Sequence, residues 1–154
     1  MPRIIVGSGV VNQIPLDWEG NFVRILNVIK EAQQLRVSIL CLPELCLTGY
    51  GCEDQFYSSF TEEQSWSYLS KLIPHITDIT VFVGLPIRFK GKLYNVSACI
   101  SNKKLMALIP KQHLANDGVH YEARWFTPWP AAQRNHIVKD GLKIPMGDYR
   151  VNTG

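Results

Sequence analysis

The sequence predicts an α/β fold built on a mixed sheet. An apolar run, an amphipathic stretch and a second apolar run follow one another from Ile4 to Leu42, which is the order of a βαβ unit. Two later apolar runs flank a polar turn, as the strands of an antiparallel hairpin do. The 154 residues are 46% hydrophobic and 19% charged, a globular composition far from that of disordered chains. Their length is that of one domain or part of one.

Ile4 to Val11 alternates and then runs apolar as a strand, Asn12 to Leu16 turns, and Asp17 is placed to cap a helix. From Trp18 to Leu35, Phe22, Ile25, Leu26 and Ile29 recur at helical spacing, with Asn21, Lys30, Glu31 and Gln34 on the polar face. Val37 to Leu42 is nearly all apolar, the pattern of a parallel strand covered on both faces. Pro43 stops it. Thr61 and Gln64 have capping-box spacing ahead of a helix from Glu62 to Ile73, ended by Pro74. Thr80 to Leu85 reads as a third buried strand. Leu93 to Ser101 and Lys104 to Ile109 form a hairpin about Ser101-Asn102-Lys103. Pro110 to Pro130 has no sustained period, and a long irregular segment inside a domain usually carries function. His136 to Val138 and Tyr149 to Val151 are expected strands around an Asp140-Gly141 turn.

Sixteen basic against 13 acidic residues leave a charge of +3, with no basic run longer than Lys103-Lys104. Neither nucleic acid nor a membrane surface is an expected partner; a small molecule or another protein is. No run approaches the roughly 18 apolar residues of a membrane span, and Met1-Pro2-Arg3 leads into an apolar stretch too short for a signal peptide. Cys41, Cys46, Cys52 and Cys99 sit in strand-like or crowded segments, which favours reduced thiols and a cytoplasmic location. No metal site is expected: the Cys41 to Cys46 spacing has no second Cys/His pair to match it.

Three sets of residues carry candidate chemistry. Leu42-Pro43-Glu44 puts a carboxylate just past a strand's carboxyl end, where ligands of open α/β sheets collect, and such a group is a candidate general base. Ile109-Pro110-Lys111 repeats the arrangement with a cation able to stabilise an oxyanion. Tyr121 to Phe126 offers a second carboxylate, Glu122, with aromatic walls. Taken singly, each has a plain structural alternative: a surface ion pair, a solvated lysine, a packed loop.

Taken together they are more specific. Leu42-Pro43-Glu44-Leu45-Cys46-Leu47-Thr48-Gly49-Tyr50-Gly51, then Pro110-Lys111, then Glu122 before Arg124 resembles the nitrilase, or carbon–nitrogen hydrolase, superfamily. Within it, Gly49 to Asp54, Leu114 to Gly118 and Arg124 to Trp129 resemble the glutamine-hydrolysing domain of glutamine-dependent NAD synthetases, the eukaryotic-type branch in particular. The resemblance implies a nitrilase-like αββα sandwich, of which residues 1–154 are the N-terminal part, and a Glu-Lys-Cys triad. Glu44 matches the general base, Lys111 the oxyanion-stabilising lysine, Glu122 the second glutamate and Tyr50 a tyrosine lining the glutamine pocket. It implies ammonia released from glutamine, homo-oligomers, and ATP and Mg used only by a separate synthetase domain that residues 1–154 do not contain. Asp117 stands where bacterial members often carry a glutamine-contacting tyrosine, so that contact is not carried over.

The family's cysteine follows the segment that Ile144 to Tyr149 resembles, and Gly154 comes first. The thiolate is therefore expected to be absent from these residues, the chain to be inactive alone, and an apolar edge of the sheet to be exposed. Other expectations are part of a nitrilase or amidase of different specificity, or a non-catalytic interaction module with Trp125 and Trp129 as exposed anchors, although buried pocket walls explain these two rings equally well.

Overall fold

A computed structural model describes residues 3–149 of the chain. Among these residues seven strands make one sheet: β1 (Val6–Ser8), β2 (Ile39–Cys41), β3 (Thr80–Phe89), β4 (Lys92–Ser101), β5 (Lys104–Pro110), β6 (Arg134–Lys139) and β7 (Leu142–Gly147). Their spatial order is β1-β2-β3-β4-β5-β7-β6. The first three run parallel, β3, β4 and β5 antiparallel, and β7 lies parallel to β5 and antiparallel to β6. The expected mixed sheet is present.

Helix α1 (Trp18–Gln34) begins where Asp17 accepts the Gly20 N–H at 3.1 Å, and it buries Ile25, Ile29 and Ala32. Asn21, expected on the polar face, is fully buried: its amide donates to the carbonyls of Ile14 and Leu47 and accepts the Ile14 N–H. Helix α2 (Ser59–Leu72) starts three residues before Glu62, and no side chain caps it. The capping box does not form, because Thr61 is already inside the first turn with its side chain buried.

Pairing in β1 and β2 is shorter than expected. Both last three residues, since the ladder ends once Pro43 has no N–H to give. In β2, Leu40 is buried and Cys41 exposed, so one face is covered and not both. Lys90-Gly91, Asn102-Lys103 and Asp140-Gly141 each have positive φ at both residues, the twist that two-residue hairpins need. The Asp140-Gly141 turn leads straight into β7, so β6 pairs with Leu142–Gly147 and not with the expected Tyr149 to Val151. Tyr149 follows the strand, and Arg150 and Val151 lie outside the described residues.

Both helices cover one face of the sheet. Ile25, Ile29, Leu69 and Leu72 pack with Val81, Val83, Leu85 and Ile87 of β3 and with Ala98, Ile100, Leu108 and Met146. Phe82, Cys99 and Ala107, alternate residues of β3, β4 and β5, face the other way and are only half-buried, whereas Gly84, Leu93 and Asn95 on that face are buried beneath the loops. One helical layer on one sheet is half of an αββα sandwich. At the edge strand β1, Val6 is 68% exposed. No helix among the described residues is long and apolar enough to cross a membrane.

The β6–β7 hairpin is fastened to α2 by an ion pair between half-buried Lys139 and buried Glu62, and by the Trp66 indole donating to Asp140 at 2.7 Å. Removing one partner strands the other charge away from water. Lys139→Met is expected to cost about 3 kcal/mol in urea unfolding, most of it recovered when Glu62→Leu is added.

Candidate active site

The loops at one end of the sheet fold across the face that the helices leave open. Leu42 donates the last ladder bond of this segment to Phe82 at 3.0 Å, and the chain then crosses β3 over Gly84. A Cβ on Gly84 would lie 2.8 Å from the Pro43 carbonyl oxygen and 3.0 Å from the Glu44 carbonyl carbon. Only a residue without a side chain lets Glu44 lie flat on the sheet. The crossing is pinned by the Leu47 N–H and the Cys46 thiol, which both donate to the Gly84 carbonyl.

Lys111 is delivered by the end of β5. Its N–H donates to the Asn95 carbonyl at 2.8 Å, and its carbonyl accepts the Trp129 N–H at 3.0 Å. Glu122 sits in a single helical turn, Glu122–Arg124, whose backbone is tied to Ala115 and Phe126. The structure brings the three side chains together. Lys111 Nζ lies 2.6 Å from Glu44 Oε1 and 2.8 Å from Glu122 Oε2. Burial raises the Glu122 carboxyl, but the Lys111 ammonium and the Ala115 N–H outweigh it and hold the group below its ordinary value. Burial likewise lowers Lys111, and the two carboxylates more than reverse that. Tyr50 stands at the rim, where burial and then the facing Glu122 and Glu44 push its hydroxyl upward.

A second, smaller core anchors these loops. Leu45, Cys52, Phe56, Leu93 and Phe126 pack together with Leu114 and Trp125 against them. Phe56 and Phe126 meet edge to face at 4.9 Å. Above them Asp54 takes both arms of the Arg124 guanidinium at 2.9 Å and the Trp125 indole N–H at 3.0 Å. Trp125 is thus half-buried, and Trp129 is 2% exposed against Tyr94 and Phe89. The pair is not an exposed anchor, because both rings serve as packing.

A concavity of about 360 Å³ opens between Pro43, Glu44, Gly84, Asn95, Ile109 and Lys111. A larger one, about 590 Å³, lies at the opposite end of the strands between Arg36, Asp78 and Asn102, remote from the carboxylates. The smaller concavity is the one that Glu44, Asn95 and Lys111 line. None of the four cysteines hydrogen-bonds to Glu44, Lys111 or Glu122. Burial pushes the Cys46 thiol up to about 12 and raises Cys52 and Cys99 as well, so these are packing thiols.

Gly84, Asn95 and Asp54 are not among the sequence-level candidates. Asn95 gives a usable signal, as a lone amide inside an apolar strand that proves 4% exposed. Its Nδ2 donates to Glu44 Oε1 at 2.5 Å and to Glu122 Oε1 at 3.2 Å.

A family model described as carbon–nitrogen hydrolase matches residues 6–148. A putative glutamine-dependent NAD(+) synthetase of Schizosaccharomyces pombe is 41% identical over 94% of the chain, and the glutamine-dependent NAD(+) synthetase of Homo sapiens 35% over 95%. The chain spans 22% of the length of each. The crystal structure of a glutamine-dependent NAD(+) synthetase from Cytophaga hutchinsonii superposes with a TM-score of 0.92 at 46% identity, over 97% of this chain and 26% of that one.

Substitution at Gly84 tests the crossing: Gly84→Ala is expected to destabilise the chain by about 2 kcal/mol in denaturant unfolding. The charges make a second prediction. Glu122, lowered on folding, contributes stability that is complete above its unfolded value near about 4.3 and is lost as pH falls through the folded one. Lys111, raised on folding, contributes below about 10.4 and loses that as pH rises through its folded value. Glu122→Gln should therefore flatten the acid limb of the melting temperature against pH, and Lys111→Met the alkaline limb. Limbs as steep as those of the wild type would mean the ion pairs are not held in solution.

Proposed function

The chain belongs to the carbon–nitrogen hydrolase family, and from that premise we propose that it is the N-terminal part of the glutamine-hydrolysing domain of a glutamine-dependent NAD synthetase. The observation that carries the reading is the Lys111 ammonium between Glu44 and Glu122, at strand ends beside an open concavity. The similarity to NAD synthetases over nearly the whole chain supports glutamine as the amide. ATP and Mg belong to a separate synthetase domain, and no residue here is assigned to them. A reducing, cytoplasmic setting suits four unpaired cysteines. The partner is glutamine, and the whole protein is expected to form homo-oligomers.

Glu44 accepts the proton of the family's cysteine thiol, and the thiolate adds to the side-chain carboxamide carbon of glutamine. An ammonium has three N–H donors, and Lys111 gives one each to Glu44 and Glu122, so the third is open to the developing oxyanion. As the C–N bond breaks, Glu44 returns its proton to the nitrogen, which leaves as ammonia. Glu44 then takes a proton from water, hydroxide adds to the thioester, and the thiol is released with glutamate. Glu122 holds Lys111 charged and aimed, and Tyr50 lines the pocket.

With none of its cysteines placed as a nucleophile, the 154-residue chain by itself is expected to release no ammonia from glutamine. Activity that one of Cys41→Ala, Cys46→Ala, Cys52→Ala or Cys99→Ala abolishes would overturn this. In a protein that also carries the family's cysteine, Glu44→Gln and Lys111→Met should each lower glutamine-dependent NAD formation at least about 100-fold while formation from free ammonia persists. Cleavage of nitriles or other amides without NAD formation would assign the chain to a different carbon–nitrogen hydrolase.

A further inference from the structure

Asn95 touches all three charged members of the cluster. Its carbonyl accepts the Lys111 N–H at 2.8 Å, and its carboxamide donates to Glu44 at 2.5 Å and Glu122 at 3.2 Å. Two carboxylates face one ammonium here, with the Tyr50 hydroxyl as the further titratable group beside them. The like charges of the carboxylates repel, and both draw on the same ammonium. A carboxamide offers two N–H donors and no charge, and each of these goes to a different carboxylate.

The result is asymmetric. Glu122 is filled on both oxygens, by Asn95 on Oε1 and by Lys111 and the Ala115 N–H on Oε2. Glu44 accepts Lys111 and Asn95 on Oε1 alone, and its Oε2 takes no hydrogen bond among the described residues. We propose that Asn95 is a positioning residue whose carboxamide clamps Glu44 and Glu122 around Lys111 and leaves Oε2 of Glu44 open as the proton acceptor. The proton-acceptor role rests on the proposed glutamine hydrolysis; the clamp does not.

The test is a carbon-13 NMR titration of the glutamate carboxyls in wild type, Asn95→Leu and Asn95→Asp, with folding checked by the amide spectrum. Losing the neutral donor in Asn95→Leu should move the last deprotonation of the Glu44–Glu122 pair up by at least about one pH unit. Asn95→Asp, adding a third carboxylate, should move it further, while the remote Glu19 stays unchanged. Folded variants that titrate like wild type overturn the clamp. Should the variants not fold, the wild type decides: slow exchange of the Asn95 side-chain amide protons supports the clamp, and exchange as fast as that of exposed Asn12 overturns it. Neither measurement needs turnover, so if a protein that also carries the family's cysteine fails to hydrolyse glutamine, the proposed function is overturned and the clamp stands.

Discussion

A lysine ammonium shared by two carboxylates sets the terms for the rest of the structure. Glu44 and Glu122 repel each other, and Lys111 between them, with the Asn95 carboxamide donating to both, makes their approach favourable. The three residues are far apart in the chain, separated by 67 and 11 positions. Each therefore needs its own support: the crossing over Gly84, the end of β5, and the turn at Glu122–Arg124. Failure of any one leaves a like-charge pair or an unpaired buried carboxylate, and an unpaired charge away from water costs several kcal/mol, on the order of total stability.

Two cores divide the labour. The larger, between helices and sheet, fixes strand positions and contains none of Glu44, Tyr50, Lys111 and Glu122. The smaller lies on the opposite face and is built from immediate neighbours of the site: Leu45 follows Glu44, Leu114 precedes Ala115, and Phe126 closes the turn that bears Glu122. The edge-to-face contact of Phe56 and Phe126 adds about 1 kcal/mol beyond burial. Loops anchored this way are preorganised, because the entropy of ordering their carboxylates is met by packing during folding and not by substrate binding.

What is legible in the sequence follows from the range of the forces involved. Helix α1 is readable because Phe22, Ile25, Leu26 and Ile29 keep helical period, and the β4–β5 hairpin because polar residues punctuate two apolar runs. Glu44 and Lys111 are readable because each follows a proline that ends a strand. Gly84 is not, since its reason is a segment 40 positions away lying on it, and a glycine within a strand can equally mark a bulge or a bend. Asn21 leaves its expected face for a similar cause: its partners, the carbonyls of Ile14 and Leu47, belong to loops that no periodicity reveals. Thr61 has the residue spacing of a cap, but the entry of the chain through Ser58 turns it inward. Local pattern determines the elements, and long-range contact decides their ends.

The hydrogen-bonding capacity left open in the cluster connects this architecture to chemistry. Both N–H groups of Asn95 and both oxygens of Glu122 are engaged. Among the described residues Glu44 Oε2 and the third N–H of Lys111 remain without a partner, one an acceptor and the other a donor, on the face away from the helices. Amide cleavage through a covalent intermediate needs one group to take a proton and another to stabilise the oxyanion. A cluster serving only to fasten loops would gain by filling these two positions, since unused polar capacity in a half-buried site has a desolvation cost and no return. Glu44 and Lys111 line one concavity, and on the proposed reading that is what distinguishes the cluster from an ion pair that only fastens loops.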